Sequence, residues 1–377
     1  MSPPTLPILT APGSGGGGAG RGIGSALAPS PEPPLSPSIA TRRGTIHEDD
    51  AAAERYYADT PAPAFLPAAI ADLDAFLADQ RARFPSRPIV LVTSGGTTVP
   101  LEQNTVRFLD NFSAGTRGAT SAEHFLRAGY AVIFMHRQYS LRPFSRHYTH
   151  SRETVFDLLS LDPASGAVTV RPELESPARA LLAEYHRYAT ADRALLPLEF
   201  TSVHDYLFLL RAVVQRLHVH SGARAMYYLA AAVSDFFVPH AKMVEHKIQS
   251  RGGALRLELD PVPKLLRPLV RDWAPGGYII SFKLETDPAL LESKSVAALE
   301  RYGHQLVIGN MLKTRKFRVD LLSIDVQHPV GDARRVVNEQ ITLTEQELAA
   351  GNDIEALIVP DLVRRHERWI DQARSIA

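Results

Sequence analysis

The run Ile89-Val90-Leu91-Val92 constrains this chain more than any other feature. It is apolar at every position, so neither of its faces can be left to water. Pro88 precedes it, and a polar, glycine-rich stretch follows from Ser94. A short strand apolar on both faces suits a sheet covered on both sides, which is the habit of parallel α/β sheets. Arg117 to Ala128 then reads as a helix, Gly129 fits its C-terminal cap, and Tyr130 to Met135 reads as a second strand. Strand, loop, helix and strand in that order imply a parallel pair joined by a right-handed crossover.

The pattern continues downstream. Ser202 is placed to cap a helix, with Asp205 three residues on and an apolar face of Leu207, Leu210, Val213 and Leu217. Met226 to Ala230 reads as a third core strand. Tyr278 to Phe282 and Gln305 to Ile308 read as buried strands separated by a helix over Pro288 to Tyr302. Leu321 to Val326 adds a strand, and a last helix runs to about Ile376, kinked or started by Pro360. Leu255-Arg256-Leu257-Glu258-Leu259 alternates strictly, which predicts a strand with one wet face. His136 to Pro197 yields only turns near Pro143 and Pro163 and a helix near Ala178 to Tyr188. Order is expected to begin near Ala64, before a helical face of Ile70, Leu73, Phe76 and Leu77. The expected fold is a single α/β domain over 64–377: an open, mostly parallel Rossmann-like sheet with helices on both faces.

Residues 1–45 are rich in Pro, Gly, Ser and Ala and hold almost no bulky apolar side chains. Such a segment cannot bury enough surface to offset its ordering entropy, so a disordered arm is expected. Its Gly15, Gly17 and Gly20 match G-x-G-x-x-G by letter only, because no strand precedes them and no helix follows.

Charge and cysteine exclude several classes. The 377 residues carry 41 Lys plus Arg against 41 Asp plus Glu, which gives a nucleic-acid or anionic-membrane partner little support. Cysteine is absent, which removes disulfides, thiolate catalysis and cysteine-based zinc sites. No apolar run approaches the roughly 18 residues of a membrane-spanning helix. A cytoplasmic location is the default expectation.

Three stretches carry the chemistry, each expected just after a core strand, where ligands gather in open α/β sheets. The first is Ser94-Gly95-Gly96-Thr97, running on through Arg107 to Gly118. Gly95 and Gly96 let backbone approach a ligand, and Gly115 and Gly118 flank a helix start that favours phosphate. Turn chemistry alone also selects Gly. The second is Ala230-Ala231-Ala232-Val233-Ser234-Asp235, where small residues leave room beside the backbone. Core packing explains Ala equally well, but an acid at a strand end must be capped, paired or catalytic. The third joins Glu245 to Gln249 with Ser281-Phe282-Lys283 and Ile308-Gly309-Asn310. A lone Lys such as Lys247 is ordinarily a solvated charge.

The runs Val92 to Thr97, Arg107 to Gly118, Tyr228 to Phe237, Glu245 to Gln249 and Ile280 to Asp287 resemble those of eukaryotic phosphopantothenate–cysteine ligases, in the same order. The resemblance covers about Ala64 to Ile370. It implies a ligase of coenzyme A biosynthesis that joins 4′-phosphopantothenate to L-cysteine through an acyl-nucleotide, releasing pyrophosphate. By the same resemblance Gly95, Ser113, Gly115, Gly118, Phe282 and Asn310 match nucleotide-binding positions. Asn111, Ala231, Ala232 and Asp235 match the phosphopantothenate pocket. Lys247 matches a lysine that the bacterial enzymes need to form the acyl-nucleotide intermediate. Arg107 matches an arginine that reaches into the neighbouring subunit's site, implying a homodimer. ATP is the expected nucleotide, with CTP as the alternative, and Mg²⁺ is expected on the triphosphate with few protein ligands. Two other classes stay open from the residues alone: an NAD(P)-dependent oxidoreductase and a non-catalytic nucleotide-binding module. The first lacks a glycine fingerprint after a strand with its ribose-binding acid. The second leaves Asn111, Lys247 and Asp235 without a purpose.

Overall fold

The structure is a computed structural model that describes residues 51–149, 155–250, 253–330 and 333–376. The arm expected over 1–45 lies outside them. Eight strands form the main sheet: β1 (Ile89–Ser94), β2 (Ala131–Arg137), β3 (Leu195–Phe200), β4 (Ala225–Leu229), β5 (Tyr278–Glu285), β6 (Leu306–Met311), β7 (Arg318–Val330) and β8 (Ala333–Thr342). Their order is β8-β7-β6-β5-β4-β1-β2-β3. The six strands from β3 to β6 run parallel, and β7 and β8 extend the sheet antiparallel. The parallel part has the doubly wound order 3-2-1-4-5-6, whose direction of winding reverses between β1 and β4.

Adjacent residues of β4 show the two faces. Ser121 of α2 (Thr116–Arg127) donates to the Tyr228 hydroxyl at 2.8 Å. Tyr227, one residue earlier, donates from the other face to the Val214 carbonyl of α4 (Val203–Ser221) at 3.4 Å. Helices α1 (Leu66–Arg83) and α4 pack together on that second face, and α6 (Glu355–Ile376) joins α2 on the first. With both faces covered, every residue of β1 is buried. Each such Val, Leu or Ile contributes about 1.5–3 kcal/mol relative to exposure. The expected capping box is present: Ser202 Oγ accepts from the Asp205 N–H, and Asp205 accepts from the Ser202 N–H. Gly129, at φ +88°, follows the end of α2 as expected.

Four expectations need correction. Leu255 to Leu259 forms no strand; Leu255 and Leu257 are exposed, and the adjacent pairing is only Asp260–Pro261 with Phe236–Phe237. Alternation gives a strand only where a ladder partner and a core face are both on offer. Packing also begins upstream of Ala64, because 51–59 is helical and buries Ala53 and Tyr56. In the stretch that was hard to read, α3 spans Pro172–Tyr185, earlier than expected, and β3 follows it. β3 was hidden by Pro197, tolerated because this is an edge strand where a missing N–H breaks no ladder. Of the two placements expected for Pro360, only the start is overturned: the last helix begins at Glu355, so Pro360 lies inside it. By contrast, α5 (Pro288–Tyr302) has the expected bounds.

Candidate functional site

The first two stretches meet through their backbones at the reversal point. Gly95 follows β1 at φ +85°, and a Cβ there would lie 2.8 Å from Arg137 Cβ. A Cβ on Gly96 would lie 1.6 Å from the Asn111 carbonyl oxygen. Without side chains the turn threads between two segments. The Thr97 N–H donates to the Ala232 carbonyl at 3.0 Å and the Ala232 N–H to the Gly95 carbonyl at 2.8 Å. On the other side the Asn111 N–H donates to the Thr97 carbonyl at 3.1 Å. Buried hydroxyls complete the clamp: Thr93 Oγ1 accepts from the Ala231 N–H at 3.1 Å and Thr97 Oγ1 from the Ser234 N–H at 3.0 Å. Sequence reasoning did not single out Thr93 or Thr97, although both flank the quoted glycines.

The start of α2 leans on the end of β1. Gly115 is its N-cap at φ +82°, without a side-chain cap. Ser94 Oγ donates to the Gly115 carbonyl at 3.0 Å, and a Cβ on Gly118 would meet Ser94 Oγ at 2.4 Å. Ser113 Oγ accepts from the Gly115 N–H at 3.4 Å. The first turn of α2 therefore opens beside the Gly95–Thr97 turn with N–H groups available to an anion. Arg117, unforeseen, bonds Glu355 at 2.9 Å and the Arg315 carbonyl, tying this helix start to α6 and to the turn after β6.

Phe282 and Asn310 lie on neighbouring strands at the same end of the sheet, with Leu284 opposite Asn310 in the register. The Phe282 ring stands edge-on to Tyr228 at 4.9 Å, hence on the α2 face, and is half-buried. Asn310 is 5% exposed. Its Nδ2 donates to the Lys283 carbonyl at 3.3 Å, whereas its buried Oδ1 has no partner among the described residues.

Asp235 is exposed and paired, its Oδ1 2.9 Å from Lys264 Nζ. Of the three fates expected for an acid here, pairing is the one observed. Ala231, Asp235, Lys264, Ser281 and Phe282 line one cavity of about 310 Å³.

Arg107 and Lys247 belong to a different arm. A hairpin of Thr98–Pro100 with Phe108–Asp110 carries Arg107 at its turn. Arg107 Nη1 bonds Glu102 Oε1 and the Ile248 carbonyl, both at 3.0 Å. The Glu102 carboxylate is buried, which pulls its pKa up. N–H groups of Arg107, Ile248 and Val106 and the Arg107 guanidinium outweigh that and hold it below the usual value. Gln103 and Asn104 N–H groups donate to the Val244 and Glu245 carbonyls at 2.9 and 3.0 Å. Lys247 is thus carried on a strap sewn to the hairpin, exposed and without an acidic partner among the described residues. The expectation that Glu245 to Gln249 directly follows a core strand is incorrect; the hairpin, not the sheet, positions it. Among the described residues no hydrogen bond or ion pair links either cation to the glycine turn.

Residues 208–344 match the family model described as DNA/pantothenate metabolism flavoprotein C-terminal domain. A Saccharomyces cerevisiae protein named phosphopantothenate–cysteine ligase CAB2 is 42% identical over 341 residues, covering 85% of this chain and 88% of that one. The Homo sapiens phosphopantothenate–cysteine ligase is 47% identical over 290 residues, covering 75% and 88%. A solved structure of a Cab2 mutant in complex with phosphopantothenate-cysteine superimposes with a TM-score of 0.74, covering 85% of this chain and 99% of that one. The chain belongs to the phosphopantothenate–cysteine ligase family.

Proposed function

We propose that this protein joins 4′-phosphopantothenate to L-cysteine in coenzyme A biosynthesis, through an acyl-nucleotide and with release of pyrophosphate. The observation that carries this reading is the Gly95–Thr97 turn, clamped by backbone bonds between Asn111 and Ala232. A nucleotide held at the α2 start and a substrate held at Asn111, Ala231 and Ala232 would then share one short stretch of chain. In the first step a carboxylate oxygen of phosphopantothenate bonds to the α-phosphorus and pyrophosphate leaves. In the second the cysteine amine bonds to the acyl carbon, the nucleoside monophosphate leaves, and the nitrogen loses a proton. Asn111 offers both a donor and an acceptor to a group that changes from carboxylate to anhydride to amide. Lys247 would balance charge on the transferring phosphoryl group.

The unmatched Asn310 Oδ1 suits the exocyclic amine of a base. Adenine and cytosine both carry one, so this contact is open equally to ATP, the expected nucleotide, and to CTP, the alternative. Gly95, Ser113, Gly115, Gly118 and Phe282 complete the nucleotide site in this reading. Mg²⁺ would be held chiefly by phosphate oxygens and supply charge neutralisation there. The protein is further proposed to act as a cytoplasmic homodimer, with the partner subunit's Arg107 reaching each site. Exposed Val106, Phe108, Leu109 and Phe112 on the Arg107 hairpin, the last 87% exposed, favour that assembly. The test is pyrophosphate release with each substrate omitted in turn: continuous release is expected only when nucleotide, phosphopantothenate and cysteine are all present, with no more than a single-turnover burst from the first step when cysteine alone is omitted. Release that ignores cysteine and phosphopantothenate would refute the assignment.

A further inference from the structure

The cavity shared by Ala231, Asp235 and Phe282 has a polar floor that the nucleotide and phosphopantothenate assignments do not use. Ser281 lines it, and its Oγ lies 2.7 Å from Nε2 of His304. His304 is 4% exposed, and burial pushes its pKa down to about 4, so the ring is neutral at pH 7. Its Nδ1 is buried with no partner among the described residues. Buried N–H groups are seldom left orphaned, whereas a bare lone pair is better tolerated. The hydrogen-bond network therefore assigns the ring proton to Nε2, which donates to Ser281 Oγ. That leaves the Ser281 hydroxyl hydrogen as a committed donor toward the cavity.

The rest of the lining narrows the ligand. Asp235 and Lys264 pair at 2.9 Å and both line this cavity, supplying one negative and one positive group beside the Ser281 donor. A dianionic phosphate would be repelled by Asp235, and a bare amine would leave Lys264 and Ser281 unused. A zwitterion satisfies all three, its ammonium toward Asp235 and its carboxylate toward Lys264 and Ser281. The volume, about 310 Å³, is at the small end of ligand pockets. Residue alternation on β5 supports a separate subsite. Ser281 is opposite Leu229 and so on the face away from Phe282, whose ring meets Tyr228 on the α2 side.

Resting on the ligase reading above, we infer that Ser281, oriented by His304, together with Lys264, binds the carboxylate of the amino-acid substrate. Asp235 lines this cavity and is also matched to the phosphopantothenate pocket, so in this reading one residue borders both substrates.

The experiment is steady-state kinetics of the full chain with each substrate varied separately. Ser281→Ala should raise KM for L-cysteine roughly tenfold, since a hydrogen bond to a charged group is lost. KM for phosphopantothenate and for the nucleotide should stay within about twofold of wild type. The preference for L-cysteine over cysteamine, which lacks the carboxylate, should narrow by a similar factor. Ser281→Thr keeps the hydroxyl and should restore KM for cysteine, a rescue that general loosening of β5 would not give. An unchanged KM for cysteine, or a rise confined to phosphopantothenate, would overturn the inference. If the wild-type chain releases no pyrophosphate with both substrates present, the ligase reading fails instead, and the two failures are distinguishable.

Discussion

Gly96 and Asn111 touch so closely that no side chain fits between them: a Cβ on Gly96 would stand 1.6 Å from the Asn111 carbonyl oxygen. The obstacle is backbone held by the Asn111–Thr97 hydrogen bond at 3.1 Å, so it cannot swing aside as a flexible side chain could. Gly96→Ala must therefore push the Asn111 segment away from the turn. Overpacking of this kind costs about 1–3 kcal/mol. Misplacing a substrate-positioning residue by an ångström costs on the order of 100-fold in rate. Urea denaturation and kcat/KM should show a modest stability loss beside a much larger activity loss. Wild-type kinetics would separate Asn111 from the reacting group.

The readability of this site followed the chemistry of each residue. Gly95, Gly96, Gly115 and Gly118 were legible because few other reasons place glycines at a strand end and a helix start. The clamp itself was not. Thr93, Ser94 and Thr97 look like ordinary strand packing until the backbone groups they serve, N–H for the two threonines and the Gly115 carbonyl for Ser94, arrive from segments more than 20 residues away. Glu102 was missed for a similar reason, since a lone Glu is ordinarily solvated and only the fold buries it against Arg107. Among strands, β1 declared itself through apolar residues on both faces. β3 was concealed by Pro197, and β8 by a sequence whose polar residues outnumber its Val and Ile.

A charged hub at Glu123 gives a pH dependence. Its buried carboxylate accepts from the Phe144 N–H at 2.8 Å and meets Arg146 at 2.8 Å and His147 at 3.1 Å. Burial alone would raise its pKa, but His147, Arg146 and the Phe144 N–H pull it down to about 2. The folded pKa lies below the unfolded one, so the stabilisation is complete above about pH 4.5 and is lost as pH falls toward 2. Glu123→Gln should cost about 3 kcal/mol at pH 7 and flatten the stability curve between those limits. Urea midpoints measured from pH 6 down to pH 3 would check this. A parallel decline in both proteins would assign the acid sensitivity to other carboxylates.

Lys247 and Asn111 should fail at different steps. Lys247 is exposed on its strap, so Lys247→Gln should leave stability nearly unchanged while slowing acyl-nucleotide formation by about 100- to 1,000-fold. Asn111→Asp puts a like charge near the substrate carboxylate, which should weaken phosphopantothenate binding first. Rapid-quench analysis of the intermediate, beside KM for each substrate, tests both. Normal intermediate formation in the Lys247 variant would reject its role.

Arg107 carries the sharpest test of subunit sharing. Within one chain its guanidinium is fixed by Glu102 and the Ile248 carbonyl, and among the described residues no hydrogen bond or ion pair ties it to the glycine turn. That anchoring holds the hairpin tip rigid, as a residue serving a neighbouring subunit requires. Arginine suits the task because its planar fork can keep one bond at home and offer another across an interface. Arg107→Ala and Asn111→Asp are each expected to be nearly inactive as homodimers. When they are mixed in equal amounts and allowed to exchange, random pairing makes half the dimers mixed. In a mixed two-fold dimer one site receives both intact residues and the other both defects, so activity should return to roughly a quarter of wild type. If Arg107 served its own subunit, every site would keep a defect and no activity would return. Subunit exchange must be followed independently, for instance by mass spectrometry of differently tagged chains, so that an inactive mixture counts against the shared site.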